Sequence, residues 1–253
     1  MTYAQADMAS AVPANRLLRL LAASDYLRIE PHLEFLDLPQ AMQLSGPDDI
    51  DEYCYFPTSG IGSTILVSRK GTQSETCLFG FEGMSPASAL LGSDRNPNRV
   101  IMQVAGQGVR ISRPKLYEIV QGSDTMRRLF FRWAHVVSTQ ISFTALANAN
   151  HTIDQRLARW ILMCHDRADG DEIKLTHEFL SIMLSVRRPS VTTALHELEG
   201  MRFIYSHRGT VIVRNRQALE GFAGDAYGGS EKEYLRLLGP LVRGSVSARA
   251  VGL

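Results

Sequence analysis

A long stretch without glycine or proline constrains the fold of this 253-residue chain more than any other feature. Residues 123–169 contain neither amino acid, and apolar side chains recur at helical spacing in residues 126–144. Glycine and proline interrupt helices, whereas serine and aspartate cap them. The pattern therefore predicts one long helix that begins near Asp124 and weakens near Asn148.

The part of the chain before this helix has the opposite pattern, with frequent glycine and proline. Between Pro31 and Ser112, short alternating segments are separated by turns that contain glycine or proline. This pattern is typical of short antiparallel strands in a sandwich or barrel. The predicted strands are residues 53–57, 63–67, 74–81, 99–105 and 109–112.

Composition indicates a soluble globular protein, with 45% hydrophobic and 21% charged residues. No apolar run approaches the roughly 20 residues of a membrane-spanning helix, and the N-terminus lacks the features of a secretory signal. We therefore expect a cytoplasmic protein without a membrane partner. The three cysteines lack CxxC spacing, which predicts buried thiols and argues against disulfides, a zinc site or an iron–sulfur cluster.

The sequence shows no pattern of catalytic residues. GxSxG, P-loop and HExxH motifs are absent. Residues 33–134 contain no histidine, which excludes a histidine-rich metal site in the predicted β domain. We therefore expect no enzymatic activity, no cofactor and no bound metal.

The last third of the chain predicts three helices followed by a hairpin. The first helix covers residues 153–167, Thr176 caps a short second helix, and Pro189 lies in the first turn of the third. Residues 203–206 and 210–213 form the hairpin. Two short helices joined by a tight turn and followed by a hairpin are a winged helix-turn-helix, in which the second of the two helices enters the DNA major groove.

Local charge supports a nucleic-acid partner. The net charge of residues 187–216 is +4, on a chain whose total is +1. Base-edge contacts are expected from the exposed side of the third helix: Arg188, Ser190, Thr193 and His196. Phosphate contacts are expected from the helix starts and the wing tip: Thr176, Arg187 and Arg208.

Together these features resemble the Crp/Fnr superfamily of bacterial transcription regulators. The resemblance covers about residues 15–222. It rests on LTHEFLSIMLSVRRPSVTTALHELEGMRFIYSHRGTVIV, on the long helix, and on YFPTSGIGSTILV and GFEGMSPASALLG. It implies an α+β fold with an N-terminal double-stranded β-roll like that of cyclic-nucleotide-binding domains, a long dimerisation helix and a C-terminal winged helix-turn-helix. It also implies a homodimer that reads a two-fold operator on double-stranded DNA and has RNA polymerase as a further partner.

The expected domain boundaries combine the patterns with this resemblance. Residues 1–15 are a flexible tail, residues 16–123 the β-roll sensory domain and residues 124–150 the dimerisation helix. Residues 151–225 are the DNA-binding domain, and residues 226–253 are a C-terminal tail that contains a short helical segment.

The long helix is richer in apolar and aromatic residues than a helix that packs against a single domain. We therefore expect one side of it to contact a second copy of the chain, with Trp133 and Val137 in that contact. The alternative is an ordinary amphipathic core helix.

The sensory domain departs from the pattern of cyclic-nucleotide-binding members. Those members hold the cyclic phosphate with a glycine–glutamate pair and a later arginine followed by a small hydroxyl residue. Glu82 and Gly83 are present here in the order Phe-Glu-Gly, but Arg99 is followed by Val100 and no Arg-Ser or Arg-Thr pair occurs. Two interpretations are open: a different effector or none, or a divergent cassette in which Glu82, Gly83 and Arg99 bind a cyclic nucleotide. The cysteine cluster of oxygen-sensing members is also absent, because no cysteine precedes Cys54.

Overall fold

A computed structural model describes residues 14–241. Its N-terminal part contains two short helices and two antiparallel sheets, with strand orders β1-β7-β3 and β2-β6-β4-β5. The helices are α1 (Arg16–Arg19) and α2 (Ala23–Ile29). The strands are β1 (Glu34–Leu38), β2 (Gln43–Ser45), β3 (Tyr53–Pro57), β4 (Ile61–Val67), β5 (Gln73–Phe79), β6 (Asn98–Val104) and β7 (Gly106–Ser112).

The two sheets form the expected β-roll. Side chains from both sheets share one buried cluster, which includes Phe56, Phe79, Val100 and Ile111. The predicted strands agree with β3 to β7 within a few residues, whereas β1 and β2 were not predicted. Most of β1 is exposed to solvent, so it lacks the alternation that marks a half-buried strand.

The long helix is α4 (Asp124–Asn150), which follows α3 (Arg113–Gln121). The Ser123 hydroxyl caps α4 by accepting a hydrogen bond from the Met126 backbone N–H at 3.3 Å. Trp133 is 1% exposed, and its indole N–H donates to the Met84 carbonyl at 3.0 Å. The expectation that Trp133 contacts a second copy is therefore wrong, because its helix face packs into the core of its own chain.

The C-terminal part is a winged helix-turn-helix, as expected, with the sheet order β8-β10-β9. The strand β8 was not predicted, because three residues are too few to show a period. The elements are α5 (Ile153–His165), β8 (Glu172–Lys174), α6 (His177–Leu184), α7 (Arg188–Gly200), β9 (Ile204–His207), β10 (Thr210–Val213) and α8 (Arg216–Ala223).

The segment after the DNA-binding domain is more than a tail. It forms α9 (Gly229–Leu238), which packs on α4 and buries Tyr234 and Leu238 in the core of the β-roll domain. At the other end, Asn15 is fully buried and its amide donates to two backbone carbonyls. The outer parts of the expected tails, residues 1–13 and 242–253, lie outside the described residues. No helix within residues 14–241 combines the length and apolar character needed to cross a bilayer.

Candidate nucleic-acid interface

The helix-turn-helix is formed by α6 and α7. Thr176 caps α6, since its hydroxyl accepts from the Phe179 backbone N–H at 3.3 Å. Ser185 turns the chain between the helices with a left-handed φ of 52°, a conformation that costs least for glycine. Pro189 lies in the first turn of α7, as expected. The inward face of α7 is fully buried: Val191, Ala194, Leu195 and Leu198.

The start of α7 presents cations to solvent. Arg187, Arg188, Thr193 and His196 are exposed, and Ser190 is half-buried. The Arg188 guanidinium lies 3.3 Å from the Glu178 carboxylate of α6, and both side chains are about two-thirds exposed, at 64% and 67%. Water screens such an exposed pair strongly, so Arg188 is free to exchange this carboxylate for a base edge or a phosphate.

The wing is a hairpin with a two-residue turn. Arg208 and Gly209 both have positive φ, at 47° and 78°, which is the pattern of a type I′ turn. The Gly209 carbonyl accepts from the Leu175 backbone N–H at 2.8 Å, next to the α6 cap Thr176. The exposed Arg208 therefore lies close to the start of α6.

Two aromatic residues and a further arginine extend the wing surface. Tyr205 and His207 stack with ring centroids 6.2 Å apart, and the Arg214 guanidinium lies 5.0 Å from the Tyr205 ring centroid. Arg214 counts toward the local charge of the sequence, but no motif marks it as a DNA contact. Only the pairing of β9 with β10 brings it beside Tyr205.

Arg216 does not belong to this surface. Its guanidinium donates to Asp166 at 2.6 Å, to Glu220 at 2.8 Å and to the Tyr227 hydroxyl at 2.7 Å. Burial and the Asp166 carboxylate raise the pKa of Tyr227 above its usual value, so this hydroxyl stays protonated and neutral. The exposed arginines of residues 187–216 are therefore Arg187, Arg188, Arg202, Arg208 and Arg214.

The structure does not bring the three expected effector residues into one site. Glu82 is fully buried, and its carboxylate accepts from Arg167 Nε at 2.7 Å. Gly83 lies so close to the Trp133 ring that a Cβ there would be 2.1 Å from ring carbons. Arg99 on β6 donates to Gln73 Oε1 on β5 at 2.8 Å, on the β2-β6-β4-β5 sheet.

A cavity of about 340 Å³ lies nearby, between β5, the 3₁₀ helix Ala87–Leu91 and α4. We call it the β5–α4 cavity. Phe79, Met84 and Trp133 are among its lining residues, and none of the three expected effector residues is.

Residues 14–241 contain no group of three or more histidine, cysteine, aspartate or glutamate side chains that could hold a metal ion. The three cysteines are free, buried thiols. Burial raises the pKa of Cys77 to about 11, which keeps this thiol protonated at neutral pH.

Comparison with known proteins agrees with this geometry. Residues 155–222 match the model of a Crp-like helix-turn-helix domain. This match includes the helix-turn-helix and the wing, with all of the exposed arginines described above. No curated protein matches the sequence significantly.

Solved structures share the fold over most of the chain. FixK2 from Bradyrhizobium japonicum is 15% identical, with a TM-score of 0.65 over 76% of this chain and 98% of its own. A Crp/Fnr-family transcriptional regulator from Eubacterium rectale is 16% identical, with a TM-score of 0.62 over 83% and 98%. The c-di-GMP-responsive global regulator CLP of Xanthomonas campestris is 17% identical, with a TM-score of 0.58 over 76% and 99%. Residues 155–222 are therefore a Crp-like helix-turn-helix domain, and the chain shares the fold of these solved structures over most of its length.

Proposed function

We propose that this protein is a sequence-specific transcription regulator that binds a two-fold operator as a homodimer. The main support is the convergence of the α7 start, the α6 start and the wing tip, which contribute Arg188, Thr176 and Arg208. A helix start is the positive end of the helix dipole and offers free backbone N–H groups, so it favours phosphate oxygens. An exposed arginine in the first turn of α7 has the reach for the O6/N7 edge of guanine.

The exposed face of α4 supports the dimer. Phe131 and Ile141 are 46% and 39% exposed, which is high for large apolar side chains on a helix whose other face is buried. Phe131 and Ile141, together with smaller residues on the same side of α4, follow heptad spacing. This spacing is the pattern of a helix that pairs with another helix. We call these positions the α4 seam: Phe131, Ser138, Ile141 and Ala145, which are exposed, and Ala134, which is 9% exposed at the edge of the core. The small residues would allow the two helices to approach closely.

We infer that this regulator acts on DNA in the cytoplasm, with RNA polymerase as a further partner. The test is selection of bound fragments from random double-stranded DNA by the purified full-length protein. We expect enrichment of an inverted repeat whose half-sites are centred about 34 Å apart, one turn of B-DNA, because each subunit contributes one α7. Recovery of sequences without a shared motif, or of a single unrepeated half-site, would contradict the proposal.

A further inference from the structure

The β5–α4 cavity has the chemistry of a site for an uncharged ligand. No charged side chain lines it within the described part of the chain. Phe79, Met84, Trp133, Val137 and Ile141 supply most of its apolar wall. Its volume of about 340 Å³ lies at the lower end of the range for small-molecule sites, about 300–1,000 Å³.

The polar edge of the cavity contains an unused hydrogen-bonding group. Ser88 lines the cavity, and its hydroxyl oxygen is buried without a partner in residues 14–241. The neighbouring Asn96 and Asn98 bond to each other, since Asn98 Nδ2 donates to Asn96 Oδ1 at 2.7 Å. A buried hydroxyl without a partner is costly, and a ligand hydroxyl or carbonyl would satisfy it.

Three charged residues in the segment that carries the cavity edge are engaged elsewhere. Arg95 donates to the Asp48 carbonyl, Arg99 donates to Gln73, and Glu82 forms its ion pair with Arg167. A phosphate in the cavity would lose water without gaining a counter-charge, which disfavours binding strongly. The walls therefore select against the anionic ligands that the divergent-cassette interpretation requires.

We propose that the β5–α4 cavity binds an uncharged, largely apolar small molecule that carries a hydroxyl or carbonyl group for Ser88. This inference deepens the regulator proposed above by naming the class of its effector. It rests on the cavity itself, so it is tested on the protein without DNA and can fail while DNA binding stands.

The position of the cavity connects such a ligand to dimerisation. Ala134, Ser138 and Ile141 line the cavity and also belong to the α4 seam. A ligand in the cavity touches the helix that we propose as the dimer contact. Where the ligand binds the dimer and the monomer with different affinities, binding and dimerisation are linked, and each changes the affinity of the other by the same factor.

The primary test uses N-phenyl-1-naphthylamine, a neutral apolar probe whose fluorescence rises when it leaves water. We expect saturable binding of one probe per chain, with no displacement by 3′,5′-cyclic AMP. Ser88→Phe fills the cavity from its edge and should weaken probe binding at least tenfold. The matched control is Ser24→Phe, which adds the same ring at an exposed position on α2 and should bind the probe as the unmodified protein does.

A second measurement locates the probe without relying on Ser88→Phe. The chain has two tryptophans, so Trp160→Phe leaves Trp133 in the cavity wall as the only tryptophan, which is excited selectively at long wavelength. 4-Bromobenzyl alcohol, a neutral quencher that acts at short range, should then quench Trp133 emission to a saturating limit. Unsaturable quenching, equal probe affinity in folded Ser88→Phe, or displacement of the probe by cyclic AMP would each overturn the proposal.

Discussion

Arg167 Nε lies 2.7 Å from Glu82 Oε1, and both side chains are almost completely buried. The two residues are 85 positions apart, one after α5 in the DNA-binding domain and the other after β5 in the β-roll. Arg167 also donates to the Met163 carbonyl at 2.7 Å. A buried ion pair therefore fixes the DNA-binding domain against the β-roll.

Replacing one partner of this pair should destabilise the protein strongly. Glu82→Gln keeps the side-chain shape but removes the buried carboxylate that Arg167 Nε hydrogen-bonds, and breaking a buried ion pair costs about 3–5 kcal/mol. The measurement is urea unfolding at pH 7. The control is Glu34→Gln, which removes an exposed pair with Arg110 and should cost less than about 1 kcal/mol. Equal, small losses in both variants would contradict the structural role of Glu82.

A second buried carboxyl connects the β-roll to the helix-turn-helix. Glu75 Oε2 lies 2.6 Å from Ser63 Oγ, which lies 3.0 Å from Gln103 Oε1. The Gln103 amide nitrogen then lies 3.1 Å from Met183 Sδ on α6. The single Ser63 hydroxyl hydrogen cannot serve both oxygens, so a protonated Glu75 that donates to Ser63 completes the chain of hydrogen bonds.

Glu75 should make stability depend on pH. Burial raises the pKa of Glu75 well above its usual value. Donation from the Ser63 hydroxyl to the ionised carboxylate, and the charges of Arg159 and Arg167, oppose this rise. A carboxyl whose pKa is raised in the folded state contributes most to the stability of the fold below its unfolded pKa, which is about 4.3. This contribution is lost as the pH rises through the pKa of the folded state. Glu75→Gln cannot ionise, so its stability relative to the unmodified protein should increase from pH 6 to pH 9.

The control for this pH series is Glu118→Gln on the surface of α3. The Lys115 hydrogen bond lowers the pKa of Glu118, so this carboxyl is ionised in both states over the same pH range. The difference in free energy of unfolding between Glu118→Gln and the unmodified protein should therefore stay constant over this pH range. A constant or falling difference for Glu75→Gln in urea unfolding would show that Glu75 is ionised in the folded protein.

The C-terminal helix should contribute substantially to stability. Tyr234 on α9 is 3% exposed, contacts the Trp133 ring edge-on at 6.5 Å, and donates to the Glu82 carbonyl at 3.2 Å. Tyr234→Ala should cost about 3–5 kcal/mol, as for other large buried aromatic residues. Leu235→Ala, at the exposed next position, should change the free energy of unfolding by less than about 0.5 kcal/mol. A loss below about 1 kcal/mol for Tyr234→Ala would mean that α9 is not docked.

The features predicted correctly from sequence are local ones. Thr176 as a cap, Pro189 in a first turn and the β9–β10 hairpin each depend on residues a few positions apart. The ion pair of Glu82 with Arg167 joins distant positions, and no spacing rule links them. Trp133 shows a further limit: apolar periodicity identifies a buried face, but it does not distinguish a face that packs within the chain from one that packs against a partner.

The α4 seam should be required for a dimer. Ile141→Glu places a charge on the exposed side of α4, where it leaves the monomer intact but is unfavourable against the same charge on a second copy. Light scattering should show a dimer for the unmodified protein at micromolar concentration and a monomer for the variant. Ser142→Glu, one position along the helix and outside the seam, should remain dimeric. A light-scattering mass that corresponds to a monomer for the unmodified protein would contradict the proposed dimer.

In the proposed complex, α7 reads DNA sequence while the wing holds phosphates. The affinity of Arg188→Ala and Arg208→Ala for the selected operator and for scrambled DNA, measured across a salt series, separates these two roles. Arg188→Ala should lose about 1–3 kcal/mol on the operator alone, whereas Arg208→Ala should weaken both DNAs and reduce the salt slope by about one. Equal loss on both DNAs for Arg188→Ala, or equal affinity of the unmodified protein for operator and scrambled DNA, would contradict these roles.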